Sequence, residues 1–179
     1  QLYPSDFRLF LSETNIYLTF NRTEKALNNL KFALKQDSTN SSVAFALGTI
    51  YDNLSNDTTR TTEQRAASFG NAVDTYKNAI RLNPDYFDAI YNLGAIYVNK
   101  AAVIEEEANK LPLDATTKYE QLKSEANTLL SNALPYLEKA TILQPTDINT
   151  LVTLKQIYAR TNQNDKVKAI QEKINDLKK

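Results

Sequence analysis

Two segments, Ala46-Leu47-Gly48-Thr49-Ile50-Tyr51 and Asn92-Leu93-Gly94-Ala95-Ile96-Tyr97, decide the fold, because both contain Leu-Gly-x-x-Tyr. Two of the three glycines in the chain therefore occupy equivalent places. A second shared pattern, alanine, bulky residue, alanine and proline at identical spacing, runs over 72–84 and over 133–145. Such repetition indicates an architecture in which each unit packs on the next.

Leu-Gly-x-x-Tyr followed by Ala-x-x-x-aromatic-x-x-Ala and Pro resembles the tetratricopeptide repeat (TPR), a 34-residue helix-turn-helix unit. The resemblance implies an all-α, right-handed α-solenoid of about four repeats, forming one domain over 1–179. Two repeats exceed the 34-residue unit, by about 12 and about 27 residues, and both insertions fall between the helices of a repeat. The repeats are placed at 7–40, 41–86, 87–147 and 148–179.

Small residues recur where the two helices of a repeat should meet. A glycine such as Gly48 or Gly94 has no Cβ to hold the facing helix away, and the alanines of the second helix have the same effect. The outer repeats carry Thr14 and Lys155 instead of glycine. We therefore expect those two hairpins to pack more loosely.

The longer insertion predicts an elongated helical hairpin in the third repeat. Apolar residues step by three or four over 97–111 and again over 119–129, as in two packed antiparallel helices. Leu111-Pro112-Leu113-Asp114 supplies the turn, and Pro135 falls inside the second helix.

The helix ends carry further signals. A polar residue followed three positions later by Glu or Gln predicts a capping box ahead of three second helices, at Asn21, Thr61 and Thr117. The last helix has one apolar stripe and an otherwise charged surface, which is typical of a capping helix. The stripe consists of Val167, Ile170, Ile174 and Leu177.

The composition excludes several kinds of catalytic chemistry. The chain has no His and no Cys, which removes imidazole bases, thiol nucleophiles, disulfides and the usual zinc ligands. Glu105-Glu106-Glu107 is the densest acidic run, but consecutive helical residues point about 100° apart and cannot converge on one ion. We interpret this run as a solvated helix face. The sequence therefore predicts a non-enzymatic protein with no cofactor and no metal.

Charge and hydropathy limit the partners. Lys plus Arg and Asp plus Glu both number 21, which argues against nucleic acid as the main partner. No apolar run approaches the roughly 18 residues of a membrane span, so no membrane insertion is expected. The chain opens with Gln1 and has no Met, so we expect the natural start to lie upstream. The repeats look most like bacterial TPR proteins, many of which are exported; a periplasmic location is one expectation and a cytoplasmic location the alternative.

The resemblance also implies a binding surface, because the first helices of TPR proteins line a concave groove that commonly holds an extended or helical peptide. The residues assigned to this groove are Arg8, Leu11, Asn15, Phe45, Thr49, Asp52, Tyr91, Asn92, Val98, Asn149, Val152, Gln156 and Arg160. Phe45 and Tyr91 are the preferred anchors. Leu11 and Val152 suit either a partner contact or packing between helices.

One specialised TPR groove grips a C-terminal carboxylate with Lys, Asn and Arg at set positions. Its first lysine is replaced here by Leu11, Phe45 or Tyr91, depending on the repeat. We therefore do not expect this clamp.

Two functions remain open. The first is a non-catalytic scaffold that binds a protein or peptide in the groove. The alternative is a self-associating structural protein of the envelope-assembly type, a possible homodimer with the long hairpin around 97–133 as its contact.

Overall fold

The computed structural model describes residues 7–179, with side chains from Arg8 onward. Within this range the chain forms eight helices and no strand. The first helices of the four repeats begin at Phe7, Ser41, Phe87 and Ile148. The helices are α1 (Phe7–Thr19), α2 (Thr23–Gln36), α3 (Ser41–Asn56), α4 (Thr62–Leu82), α5 (Phe87–Asn109), α6 (Thr116–Leu143), α7 (Ile148–Arg160) and α8 (Asn164–Leu177).

The chain divides into two compact units, Gln1–Ala89 and Ile90–Lys179. The described part of the first unit contains α1 to α4 and the start of α5. The second unit contains the rest of α5 together with α6, α7 and α8. None of the described helices is long and apolar enough to cross a bilayer.

Apolar residues of α1, α2 and α3 form the main core of the first unit. They recur at helical spacing, so each helix turns one apolar side inward. A smaller cluster of Ala44, Ala79 and Ala89 adjoins Phe45 and Tyr86. The main core contains Phe10, Ala26, Leu27, Leu30, Ala33, Val43, Leu47, Ile50 and Leu54.

Glycine allows the close contact between helices in each of the two middle repeats. A Cβ on Gly48 would lie 2.7 Å from Cδ1 of Tyr76, and a Cβ on Gly94 would lie 2.6 Å from Cγ of Leu137. Both distances are shorter than side chains tolerate. The close approach predicted for these two glycines is therefore present.

The outer hairpins replace this close contact with polar bridges. The Thr14 hydroxyl donates to the Phe10 carbonyl at 2.7 Å and accepts a hydrogen bond from Asn29 Nδ2 at 3.0 Å. In the last repeat, Lys155 Nζ donates to Gln171 Oε1 at 2.8 Å. Side chains longer than glycine thus find a hydrogen-bond partner on the second helix.

The elongated hairpin is present, with 23 residues in α5 and 28 in α6. Its helices are joined through residues 110–115, and Pro135 lies inside α6 as expected. Tyr97 stacks on Tyr136 with ring centroids 6.4 Å apart.

One of the three predicted capping boxes is correct. Thr61 Oγ1 accepts from the Gln64 amide at 3.2 Å, and Gln64 Oε1 accepts from the Thr61 amide at 3.1 Å. The prediction for Thr117 is wrong because the N-cap of α6 is Ala115, two residues earlier, and it makes no side-chain cap hydrogen bond.

The prediction for Asn21 is also wrong, because this residue ends α1 instead of starting α2. Asn21 has φ 55°, and the following amide of Arg22 donates to the Tyr17 carbonyl at 2.7 Å. This is a helix C-terminal motif with asparagine in the left-handed conformation. Asn162, at the same repeat position after α7, has φ 58°.

Candidate partner-binding site

In the first unit, α1 and α3 contact each other and each carries one row of the predicted groove residues. The spacing of three or four residues places each row on one side of its helix. The rows are Arg8, Leu11 and Asn15 on α1, and Phe45, Thr49 and Asp52 on α3. Arg8 and Asn15 are exposed, and the other four are half-buried. Leu11 packs against the main core, so part of its surface serves the fold.

Phe45 is held by two tyrosines. Its ring centroid lies 5.9 Å from that of Tyr76 and 5.1 Å from that of Tyr86, in tilted arrangements that aromatic pairs prefer. Thr49 Oγ1 donates to the Phe45 carbonyl at 3.2 Å, and the buried Tyr76 hydroxyl approaches Thr49 Oγ1 at 3.5 Å. The Phe45 ring is therefore half-buried, and the two tyrosines hold it in position.

Tyr86 was not among the predicted site residues. It lies in the turn between α4 and α5, where helical periodicity carries no information, and it meets Phe45 through the fold. Burial raises the pKa of the Tyr86 hydroxyl, and a hydrogen bond with Ser42 opposes that rise. The hydroxyl is therefore a neutral donor or acceptor at neutral pH.

Asp52 is a half-buried carboxylate at the other end of the α3 row. Burial raises the pKa of this carboxyl group, and a hydrogen bond from Asn56 Nδ2 to Asp52 Oδ1, at 3.0 Å, opposes the rise. Burial disfavours the charged form, so a cation placed beside Asp52 would be favourable.

The second unit carries the remaining predicted residues on α5 and α7. Tyr91, Asn92 and Val152 are half-buried, whereas Asn149, Gln156 and Arg160 are exposed. Val98 departs from the expectation, with 8% of its surface exposed. The reason is that α5 is buried over a wide arc, which includes Ile96, Tyr97 and Val98 in succession. Its side chain therefore serves packing and offers a partner little surface.

Arg160 has a partner within the chain. Its Nη1 lies 3.3 Å from Glu105 Oε2, and Lys123 Nζ lies 3.9 Å from Glu105 Oε1. Glu105 is 17% exposed, so the interpretation of this residue as part of a solvated face is wrong. The two ion pairs of Glu105 connect α5 to α6 and to α7. Residue spacing along one helix does not predict contacts between helices.

The predicted residues on α1, α3, α5 and α7 carry groups that can make non-covalent contacts. The α1 row combines Leu11 with a guanidinium and an amide group, and the α3 row combines Phe45 with a hydroxyl and a carboxylate group. Among residues 8–179, no three acidic side chains are grouped so that they could hold a metal ion.

Residues 68–100 match the family model described as TPR repeat, a segment that covers most of α4 and the first half of α5. No curated protein matches the chain.

Among solved structures, MamA aligns over 98% of this chain and 80% of its own, with a TM-score of 0.65 and 18% identity. The first TPR of Spaghetti, bound to an HSP90 peptide, aligns over 86% of this chain and 91% of its own, with a TM-score of 0.58 and 16% identity. A TPR repeats protein from Bacteroides fragilis covers 84% of this chain and 66% of its own, with a TM-score of 0.53 and 21% identity. These likenesses show the fold, an all-α solenoid of the TPR type.

Proposed function

We propose that this chain, which has a fold of the TPR type and matches the TPR repeat model over residues 68–100, is a non-catalytic interaction module that binds a peptide segment on the exposed faces of α1 and α3. The TPR fold in general serves as a scaffold for protein–protein interaction. The observation that carries the proposal is the half-open ring of Phe45, braced by Tyr76 and Tyr86 and followed along α3 by Thr49 and Asp52.

Phe45 suits an apolar side chain of the partner. An aromatic ring held by its neighbours loses little conformational entropy when a partner binds. Aromatic residues in well-packed surroundings are also the residues that contribute most to binding at protein interfaces. We expect an apolar partner residue to pack on Phe45, with Thr49 and Asn15 bonding to the partner backbone.

Asp52 favours a basic residue in the same segment. Its carboxylate has lost part of its hydration, and a lysine or arginine at close range would stabilise the charged form. The acidic peptide SRMEEVD bound by the first TPR of Spaghetti has the opposite character. We therefore propose a segment with an apolar residue and a neighbouring basic residue.

The proposal is tested with two matched variants in the first unit, Asn15→Arg on α1 and Asn71→Arg on α4. Both asparagines are exposed, so both substitutions add the same charge and bulk at a helix surface. The wild-type chain and both variants serve as baits in extracts of the source organism, and captured proteins are quantified by mass spectrometry. We expect Asn15→Arg to lose at least about 80% of the specific partner that Asn71→Arg retains, since one misplaced arginine at an interface costs more than about 1 kcal/mol. Equal capture by both would show that the partner binds elsewhere.

Asp52→Asn tests the chemistry of the partner. The amide keeps the shape but removes the charge, so binding of a partner with a basic residue should weaken about tenfold, as measured by calorimetry with the captured partner. Glu120→Gln, on the exposed surface of α6, is the matched control. Unchanged affinity for Asp52→Asn would refute the basic residue while leaving the Phe45 contact standing.

Self-association through the long hairpin is a second candidate function. Its support is Leu113, whose side chain is fully exposed at the tip beside a cavity of about 300 Å³ lined by Leu111, Pro112 and Tyr119. Leu113→Glu would lower the mass of such an assembly, as measured by light scattering. A mass unaffected by Leu113→Glu would exclude the tip as the contact.

A further inference from the structure

The predicted peptide-binding residues of α3 form a row along one side of the helix. Phe45 and Asp52 are seven residues apart, and seven residues turn an α-helix by about 700°, only about 20° short of two full turns. At about 1.5 Å per residue, the two residues are separated by about 10.5 Å along the helix axis. Thr49 lies between them on the same side. A segment that contacts both Phe45 and Asp52 therefore runs along α3.

The two ends of this row differ in chemistry. Phe45 offers a half-buried ring that Tyr76 and Tyr86 hold in place. Asp52 offers a half-buried carboxylate, and in the part of the chain that the structure describes no basic side chain pairs with it. Its Oδ1 accepts a hydrogen bond from Asn56 Nδ2 at 3.0 Å. The row thus combines an apolar contact at one end with a negative charge at the other.

Asn15 of α1 adds hydrogen-bonding groups beside the middle of the row. It lies one 34-residue unit before Thr49, so the two residues occupy equivalent places on two helices that contact each other. The Asn15 side chain is exposed and forms no hydrogen bond with any residue of 8–179. An asparagine amide both donates and accepts, so it is complementary to the N–H and C=O groups of a peptide backbone.

A contact with the partner backbone favours an extended segment over a helical one. Within an α-helix each backbone N–H already bonds to the C=O group four residues earlier, so a helix laid along α3 would offer Asn15 no free N–H. An extended segment of the polyproline II type has no internal hydrogen bonds, and its backbone groups stay available.

The separation of Phe45 and Asp52 distinguishes between two extended conformations. In a β-strand, residues on the same face are about 6.8 Å or about 13.5 Å apart, and neither distance matches. In a polyproline II helix, three residues complete one turn and rise by about 9.3 Å, so residues three positions apart share a side and nearly match the row. Unfolded chains already populate this conformation, so a partner loses little entropy in adopting it.

We propose that the partner segment binds along α3 in the polyproline II conformation, with its apolar and its basic residue three positions apart. This inference rests on the proposed function and specifies the sequence pattern that the same site selects. The apolar residue packs on Phe45, the basic residue pairs with Asp52, and the backbone between them bonds to Asn15.

Synthetic peptides test the spacing. Short fluorescein-labelled peptides carry one leucine and one lysine, in either order and at spacings from two to seven, in an alanine and serine background. Fluorescence anisotropy measures their binding to the 179-residue chain. We expect the tightest peptide to have a spacing of three and to bind at least about fivefold more tightly than spacings of two, four and seven. Asp52→Asn should remove this preference, whereas Asp74→Asn, on the exposed surface of α4, should keep it.

Two further measurements test the conformation of the bound segment. A proline placed between the leucine and the lysine favours polyproline II and disrupts an α-helix, so the peptide with a spacing of three should retain its affinity. Asn15→Ala should weaken binding of this peptide about tenfold, because its contacts to the peptide backbone are lost. Asn71→Ala, also an exposed asparagine, is the matched control.

A maximum at a spacing of seven that proline abolishes overturns the inference in favour of a helical partner. Equal affinity at every spacing, or no binding of any peptide, also overturns it. Unchanged affinity for Asn15→Ala rejects the backbone contact and the extended conformation with it. The capture experiment with Asn15→Arg decides the proposed function separately, since a partner lost by that variant supports the binding face whatever spacing the peptides prefer.

Discussion

Glycine has opposite effects on stability at two kinds of position in this protein. At Gly48 and Gly94 an added methyl group would meet the side chain of the facing helix. At Gly70, in the exposed middle of α4, no other side chain lies within 4 Å of an added Cβ. The first two glycines are required by packing, whereas Gly70 costs helix stability without a visible packing benefit.

We therefore expect Gly70→Ala to raise the free energy of unfolding by about 0.5–1 kcal/mol, the difference in helix propensity between the two residues. Gly94→Ala should lower it by about 1–3 kcal/mol, because Leu137 must move away. Urea unfolding followed by circular dichroism measures both. A loss of stability for Gly70→Ala would indicate a contact made by the backbone at that point.

Tyr158 contacts side chains of two other helices in the second unit. Its hydroxyl donates to Glu138 Oε1 at 2.7 Å, and Lys166 Nζ lies 4.7 Å from the ring centroid. Burial, and then the hydrogen bond and charge of Glu138, raise the pKa of Tyr158 strongly. One side chain thus connects α6, α7 and α8.

This shift predicts a loss of stability at alkaline pH. The folded-state pKa lies above the ordinary value of 10.0, so the contribution of the protonated hydroxyl is complete below pH 10 and is lost as the pH rises toward the folded-state pKa. Melting temperatures between about pH 9 and about pH 11 should fall less steeply for Tyr158→Phe than for wild type. Tyr119→Phe, at the hairpin tip, is the matched control. Identical slopes for all three proteins would contradict the predicted linkage.

The turns between paired helices use polar residues in different ways. The two repeats without insertions end their first helix with Asn21 or Asn162 in the left-handed conformation. The second repeat, whose turn is longer, starts its second helix with the capping box of Thr61 and Gln64. In the third repeat, α6 begins without a side-chain cap.

Asn21→Ala should destabilise the protein by about 1 kcal/mol, because alanine adopts a positive φ at a cost of roughly 1–2 kcal/mol. Asn21→Gly is the matched control, and it should be neutral or slightly stabilising since glycine accepts this conformation freely. Thermal unfolding compares the two. If both variants lose the same stability, the asparagine side chain, and not the backbone conformation, is what matters at this turn.

The whole molecule balances its charges and pairs several of them locally. Acidic and basic residues are equal in number. Glu105 pairs with Lys123 and Arg160. Glu138 pairs with Lys166 and accepts a hydrogen bond from the Tyr158 hydroxyl. Such a surface attracts no polyanion over long distances.

We expect no retention on heparin and no binding to labelled DNA in fluorescence anisotropy at about 0.15 M salt. The balanced charge provides no excess of cations to displace the counterions of a nucleic acid. Binding that weakens steeply as salt increases would reveal a local basic patch and contradict this prediction.

The sequence by itself determined the all-α solenoid fold, the elongated hairpin and the role of Gly48 and Gly94. These features depend on local residue patterns or on the absence of a side chain, and both can be identified directly in the sequence.

The tertiary structure alone decided what covers each helix face. It buried Val98, paired Arg160 with Glu105, brought Tyr86 to Phe45 and left Leu9, Ile16 and Phe20 exposed. The physical reason is that periodicity identifies the apolar side of a helix, whereas burial, pairing and pKa depend on which neighbour lies against that side.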